Sequence, residues 1–264
     1  MFEVFNVPGY VSHTVMARDV YNKIDNKNIN IDYMITFSLG GDLCKYSKCR
    51  KASHNIKQDE FIYNMADYLK ENNLLNDKEC LAVLYAHICH YCMDDVIHPL
   101  VRKIDKTCVK NKKNHTLIEG YYDNYLVTNS YGVRVDKYDN RLLFKGKLNK
   151  KVSNMIDYVY EKTYDTKDVS KYYKFNIWLY KKIKYLYRMF GIGLLKKFSG
   201  FNKFIKDNKN VDLFNNKNLI TYKSYLRKED NKSLDELYDE SVNRAIKYIN
   251  KINKYLKEDN ICKK

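Results

Sequence analysis

The scarcity of residues that break helices is the strongest constraint on how this chain can fold. Its 264 residues include only two prolines, Pro8 and Pro99, and nine glycines. Because proline interrupts helices, and both residues are common in the turns between strands, a chain this poor in them has long stretches that can be helical. The sequence therefore predicts an all-α fold, and the chain is long enough to bury a core of its own.

The spacing of apolar residues places the individual helices. Apolar side chains that recur every three or four residues are typical of a helix that packs on one face. This pattern predicts helices at 13–24, 31–39, 57–72, 77–95, 115–129, 147–163, 168–190, 192–206 and 233–257. The segment near 129–146 is the one place where we expect a short hairpin or an irregular loop. We interpret 1–264 as one multi-helix domain.

The basic charge of the chain is unevenly distributed. The formal net charge is +16, yet residues 1–130 carry equal numbers of acidic and basic side chains, so the whole excess lies in 131–264. We therefore distinguish a neutral core over 1–130 from a basic helical half over 131–264. A basic surface can attract an anionic membrane or nucleic acid, and charge alone does not choose between them.

Cysteine usage and the N-terminal sequence favour a cytoplasmic location. The seven cysteines are odd in number, and Cys89 and Cys92 form a single CxxC pair inside a predicted helix. One such pair is a weak zinc signal, and the thiols are expected to be reduced, small core residues. The sequence also has no recognisable export signal and no uncharged run of the roughly 20 residues that a membrane span needs.

The histidines are concentrated in one part of the chain. All six lie between residues 13 and 115, and His87, His90, Asp94 and His98 follow one another at spacings of three, four and four. On an α-helix this spacing places the four side chains within an arc of about 80°. The predicted helix thus presents three imidazoles and one carboxylate on a single stripe.

A second predicted helix repeats this geometry. His115 and Glu119 are four residues apart and share a face. Imidazole nitrogens and carboxylate oxygens are the ligands that zinc prefers when it keeps an open position for water. Burying so many polar groups without compensation would be costly. The sequence therefore predicts a metal site built from these helices.

These residues form an ordered series that resembles a known family. Besides the pairs already described, the series includes Phe37-Ser-Leu-Gly-Gly-Asp42, Ser53-His54 and the proline that follows His98, with His13 near its start. It is similar to the metal-ligand series of the zinc-dependent phospholipase C family, whose relatives include the single-strand-specific zinc nucleases. The resemblance covers roughly residues 10–125, and it implies an all-α bundle of that type.

The resemblance also implies how the ligands would be shared among metal ions. One zinc would be held by Asp42, His54, His90 and Asp94, and a second by His98, His115 and Glu119. A third family site joins the first histidine, here His13, to the shared carboxylate Asp94 and to an N-terminal tryptophan. The sequence begins Met1-Phe2, and its one tryptophan is Trp178, so we expect two zinc ions and leave the third open.

Two residues of the stripe region fall outside the implied ligand set. His87 stands where the family more often has a small residue, and three roles stay open: a hydrogen-bonding partner of a ligand, an alternative ligand, or a core residue. Asp95 is expected to be a solvated or capping carboxylate.

The resemblance implies hydrolysis of a phospholipid phosphodiester by metal-activated water, with Asp42 as both ligand and general base. Two alternatives stay open. One is a single-strand nuclease of the related zinc family. The other is a zinc-stabilised helical module that binds a membrane or a protein partner with little catalysis.

The stretch from Trp178 to Phe198 bears on these alternatives. Leu179 and Ile183 belong to its apolar face, whereas Lys181 and Lys182 lie outside that face. This pattern fits a bundle helix with a basic solvated side, and it also fits a helix that contacts an anionic membrane. Nucleic acid is the less favoured partner, and the oligomeric state is not indicated.

Overall fold

The computed structural model describes residues 9–44, 57–108, 115–133, 138–191, 232 and 234–258. For 102–108, 115–121, 124, 140, 183–191 and 234 the description covers the backbone alone. Eight α-helices form within these ranges: α1 (Tyr10–Lys23), α2 (Ile31–Phe37), α3 (Gln58–Glu71), α4 (Lys78–Cys108), α5 (His115–Tyr131), α6 (Lys150–Tyr164), α7 (Ser170–Gly191) and α8 (Leu234–Glu258). Single 3₁₀ turns form at Gly40–Cys44 and Asn140–Leu142.

The all-α prediction is confirmed, because the described part of the chain contains helices and no strand. The helix at 77–95 was predicted too short, since α4 continues past Pro99 to Cys108. Proline removes the hydrogen bond to the carbonyl four residues earlier and its ring crowds that carbonyl, yet the helix continues through this position. The helix predicted at 192–206 lies outside the described residues.

The segment near 129–146 forms no hairpin in its described part. Its first residues extend α5 to Tyr131, and its later residues are irregular apart from the 3₁₀ turn. The side chain of Thr36 satisfies two backbone groups of this segment. Its hydroxyl donates to the Leu143 carbonyl at 3.2 Å and accepts from the Gly146 amide at 2.9 Å. The irregular alternative is therefore the one that the structure shows.

Helix α4 is the centre of the bundle. It packs against α1, α2, α3, α5, α6 and α8. Among the described residues, only its Lys78–Val101 part is long and apolar enough to cross a membrane by length and composition, and 83% of that apolar window is buried inside the fold. This burial is typical of the core helix of a bundle, since its apolar surface is already covered by other helices.

The last helix joins the two halves of the chain through tyrosine hydroxyls. Tyr238 donates to Asp19 of α1 at 2.7 Å, and Tyr255 donates to Asp67 of α3 at 2.5 Å. Burial and the Asp19 carboxylate raise the pKa of Tyr238 well above its usual range, so its hydroxyl keeps the proton it donates. Helix α8 also accepts a hydrogen bond: the Tyr85 hydroxyl of α4 donates to the Asn253 side chain of α8 at 2.5 Å.

A buried carboxylate from α5 holds the start of α1. Gly9 precedes this helix and has no side chain to cap it. Instead, Asp123 accepts hydrogen bonds from the Ser12 amide at 2.7 Å, from the Val11 amide at 3.3 Å and from the Ser12 hydroxyl. Free amides and the positive end of the helix dipole both favour an anion at this position. The angle at which α1 enters the bundle is therefore set by α5.

We predict that Asp123→Asn lowers the free energy of unfolding by about 2 kcal/mol, because an amide group faces a donor where a charged acceptor stood. Urea unfolding followed by circular dichroism measures the loss. Glu161→Gln is the matched control, since Glu161 forms an exposed ion pair with Lys167 at 3.0 Å and such pairs contribute about 0.5 kcal/mol. Equal losses in the two variants would contradict the assignment.

Candidate metal centre

Helix α4 supplies three side chains in successive turns. The Asp94 carboxylate lies between two of its own helix's histidines: His90 Nε2 is 3.3 Å from Oδ2, and His98 Nδ1 is 3.6 Å from Oδ1. This is the predicted i, i+4 alignment on one helix face. His90 and Asp94 are buried, whereas His98 is partly exposed.

Helix α1 brings a fourth side chain to the same carboxylate. His13 Nε2 lies 3.3 Å from Asp94 Oδ1, and the rings of His13 and His90 have their centroids 4.5 Å apart. His13 stands one residue after Ser12, whose amide is fixed by Asp123. The cap on α1 therefore also determines where this imidazole points.

The 3₁₀ turn at Gly40–Cys44 brings a second carboxylate. One oxygen of Asp42 and one nitrogen each of His13 and His90 all lie within 4.8 Å of one another. Asp42 is partly exposed while the two histidines are buried. The group is therefore closed by protein on one side and reachable from solvent through Asp42.

The electrostatics of the cluster match its geometry. Burial alone would raise the pKa of Asp94, but the neighbouring His90, His98 and His13 hold it well below its usual range. Burial alone would lower the pKa of His13, and its hydrogen bond to Asp94 reverses the direction and raises it. The site thus stabilises positive charge beside Asp94, which either protons or a cation can supply.

The donor set fits a metal ion. His13 Nδ1 is buried and has no hydrogen-bond partner among the residues that the structure describes. Buried imidazoles and carboxylates in contact are costly unless a charge of opposite sign compensates the carboxylates. The His13, Asp42 and His90 group could hold a metal ion, since its three ligand atoms converge from different elements.

A glycine makes this convergence possible. Gly40 has φ +44°, a left-handed conformation that side chains disfavour, and a Cβ placed there would lie 2.5 Å from two ring atoms of His90. The turn that carries Asp42 can therefore approach the His90 ring only because residue 40 has no side chain.

His87 belongs to the core and does not face the cluster. Its Nδ1 donates to the Val83 carbonyl at 2.8 Å, and its Nε2 accepts from the Tyr173 hydroxyl at 3.0 Å. Burial lowers the pKa of His87 to about 4, so the ring is neutral at pH 7. Of the three roles left open by the sequence, the core residue is the one that the structure describes. The neighbouring Asp95 is exposed and pairs with Arg244 at 2.6 Å.

The side chains of the three other predicted ligands lie outside the described part of the structure. His54 lies outside the described residues. His115 and Glu119 fall in the first turns of α5, where the description covers the backbone alone. Helix α5 itself packs against α1 and α4, the two helices that carry His13 and Asp94.

A small cleft of about 30 Å³ opens beside His90. It is lined by Gly41, Gln58, Phe61, Ile62, His87, His90, Tyr91, Tyr160 and Tyr164. Sequence reasoning did not identify Gln58 or the aromatic wall, because nothing in their type or spacing distinguishes them from an ordinary helix face. The cleft adjoins the buried cluster at His90. Its lining is largely aromatic and contains no lysine or arginine.

Comparisons of the chain with protein-family models, with curated proteins and with solved structures found no match. The family resemblance therefore depends on the motif residues of the sequence alone.

We predict that Gly40→Ala weakens metal binding by about tenfold or more, because its methyl group must displace the His90 ring. Gly132→Ala is the matched control: Gly132 also has positive φ, +66°, but a Cβ there meets nothing within 4 Å. Both variants carry the backbone cost of about 1 kcal/mol. Isothermal titration with Zn²⁺ should separate them, and equal affinities would contradict the role of Gly40.

Proposed function

We propose that the protein is a zinc-dependent phosphodiester hydrolase of the phospholipase C type. The observation that carries this proposal is the convergence of His13, Asp42 and His90, whose ligand atoms lie within 4.8 Å of one another beside the buried Asp94. These residues are separated by up to 81 positions in the sequence, from 13 to 94. A shared pocket of this composition supports a metal-dependent role.

Zinc is the ion that the donor set favours. The cluster offers neutral imidazole nitrogen and carboxylate oxygen, and no described cysteine sulfur belongs to it. In the proposal, His54 completes a first site with Asp42, His90 and Asp94. A second site uses His98 with His115 and Glu119. His13 lies close enough to Asp94 to share a third ion or to orient that carboxylate.

In the proposal, Asp42 and Asp94 have different roles in hydrolysis. Bound zinc would acidify a water molecule and neutralise the charge that builds on phosphoryl oxygens during displacement. Asp42 is the carboxylate of the cluster that solvent can reach, so it is placed to accept the proton of the attacking water. Asp94, buried among imidazoles, holds His13 and His90 in orientation and remains ionised.

A lipid substrate is proposed over nucleic acid because the motif residues resemble the phospholipase C family, which cleaves the phosphodiester of a phospholipid. In the proposal the reaction takes place in a reducing, cytoplasmic environment, in which the buried thiols of Cys80, Cys89 and Cys92 form no disulfide.

The proposal is tested by counting metal and by assaying three substrates. Mass spectrometry of the native protein is expected to give about two zinc ions per chain, one for each of the two proposed sites. The metal-loaded protein is expected to hydrolyse a short-chain phosphatidylcholine and a bis-aryl phosphodiester. Cleavage of single-stranded DNA alone would favour the nuclease. Bound zinc without any turnover would favour a non-catalytic module, and a protein that binds no metal would refute the proposal.

We predict that Asp42→Asn reduces kcat for the bis-aryl phosphodiester by about 10²- to 10⁴-fold at saturating zinc, because an amide cannot accept the proton of water. Asp95→Asn is the matched control, since this exposed carboxylate neighbours Asp94 in the sequence and pairs with Arg244 instead. It should keep near-normal turnover. Full zinc content and full turnover in Asp42→Asn would disprove the base assignment.

A further inference from the structure

Helix α7 carries an exposed stripe that the bundle does not use. Lys171, Lys174, Phe175, Trp178 and Lys182 recur at helical spacing, which places them within an arc of about 100°. All five side chains are exposed. We call this set the α7 stripe.

Two large aromatic rings stand at the middle of the α7 stripe. Phe175 is 53% exposed and Trp178 is 51% exposed, and their ring centroids are 6.1 Å apart. They lie on the opposite side of the helix from Tyr173 and Tyr180, which are fully buried in the core. Leu179, which the sequence assigned to the apolar face, is likewise buried. The aromatic pair is therefore additional to the packing face.

The charge around this pair is of one sign. Among the α-helices that the structure describes, α7 is the one that contains no aspartate or glutamate, although it carries six lysines and arginines. Burial and the nearby Lys147 lower the pKa of Lys181, at the edge of the stripe. Lys171 pairs with Asp168 at 3.4 Å, and both side chains of that pair are exposed.

We infer that the α7 stripe is a docking surface for the interface of an anionic lipid bilayer. Tryptophan and phenylalanine rings insert at the boundary between headgroups and acyl chains. There the apolar ring is removed from water, and the indole N–H of tryptophan can still contact polar groups. Lysines on either side then meet the anionic headgroups, whose surface potential attracts them. Helices that lie flat on a membrane typically combine aromatic side chains with nearby lysines or arginines in this way.

The inference is independent of the metal centre, because it depends on the side chains of α7 alone. It also differs from nucleic-acid binding in one respect. Bases stack on aromatics that line a groove, whereas Phe175 and Trp178 project from the convex surface of a helix. A bilayer can cover a convex surface, which favours lipid as the partner.

Trp178 is the chain's single tryptophan, so its fluorescence reports directly on the stripe. The full-length protein with its metal in place is titrated with phosphatidylcholine vesicles with and without 30% phosphatidylserine, and emission is read within seconds of mixing so that little lipid is hydrolysed. We expect a blue shift of Trp178 emission with the anionic vesicles, and partitioning at least tenfold stronger than to the neutral ones. Sodium chloride at 0.5 M should reverse most of this binding, since it screens surface charge.

Paired variants identify the surface. Each lysine near an anionic membrane contributes about a fivefold gain in partitioning, so Lys171→Ala with Lys174→Ala is expected to weaken binding by at least tenfold. Lys247→Ala with Lys254→Ala removes two exposed lysines of α8 and should leave binding unchanged. Phe175→Ala should reduce both the affinity and the blue shift.

Three results would overturn the inference: no change in Trp178 emission with either vesicle, equal weakening by the two lysine pairs, or a response to single-stranded oligonucleotide in place of vesicles. None of these depends on whether the protein hydrolyses a phosphodiester. A protein that binds vesicles without any turnover would support the inference while refuting the proposed activity.

Discussion

The buried carboxylate of Asp94 is the interaction on which the arrangement of the site depends. It lies within 3.3 to 3.6 Å of nitrogens of His13, His90 and His98, which come from two helices. A charge removed from water at this depth is stable only if its partners surround it. Helices α1 and α4 must therefore keep a fixed separation and rotation. Asp123 fixes the start of α1, and Gly40 allows the turn that carries Asp42 to close the site.

The same device, an acid that joins distant parts of the chain, recurs between the first half and the last helix. Asp19, Asp59 and Asp67 of the first half accept hydrogen bonds from tyrosines of α8. These three acids therefore hold α8 against α1 and α3. The abundance of tyrosine has a structural use here, because each ring buries apolar area and still offers a donor.

The sequence could predict the helices and part of the site, because both depend on local periodicity. The alignment of His90, Asp94 and His98 follows from 3.6 residues per turn. The approach of His13 to Asp94 does not, since 81 residues separate them and only the family resemblance suggested the pairing. His87 shows the same limit: its spacing places it with the ligands, but its bonding partner is Tyr173, 86 positions away.

Helix α7 shows why an apolar pattern alone cannot assign the surface of a helix. The periodicity placed Leu179 on the apolar face and Leu179 is buried, but the pattern gave no reason to separate Trp178 and Phe175 from the other apolar residues. Packing decides that question, because the bundle already covers α7 on one side and has no further element in the described chain for the other. These two neighbouring aromatic rings, which the described chain leaves exposed next to lysines, are the basis of the inferred membrane surface.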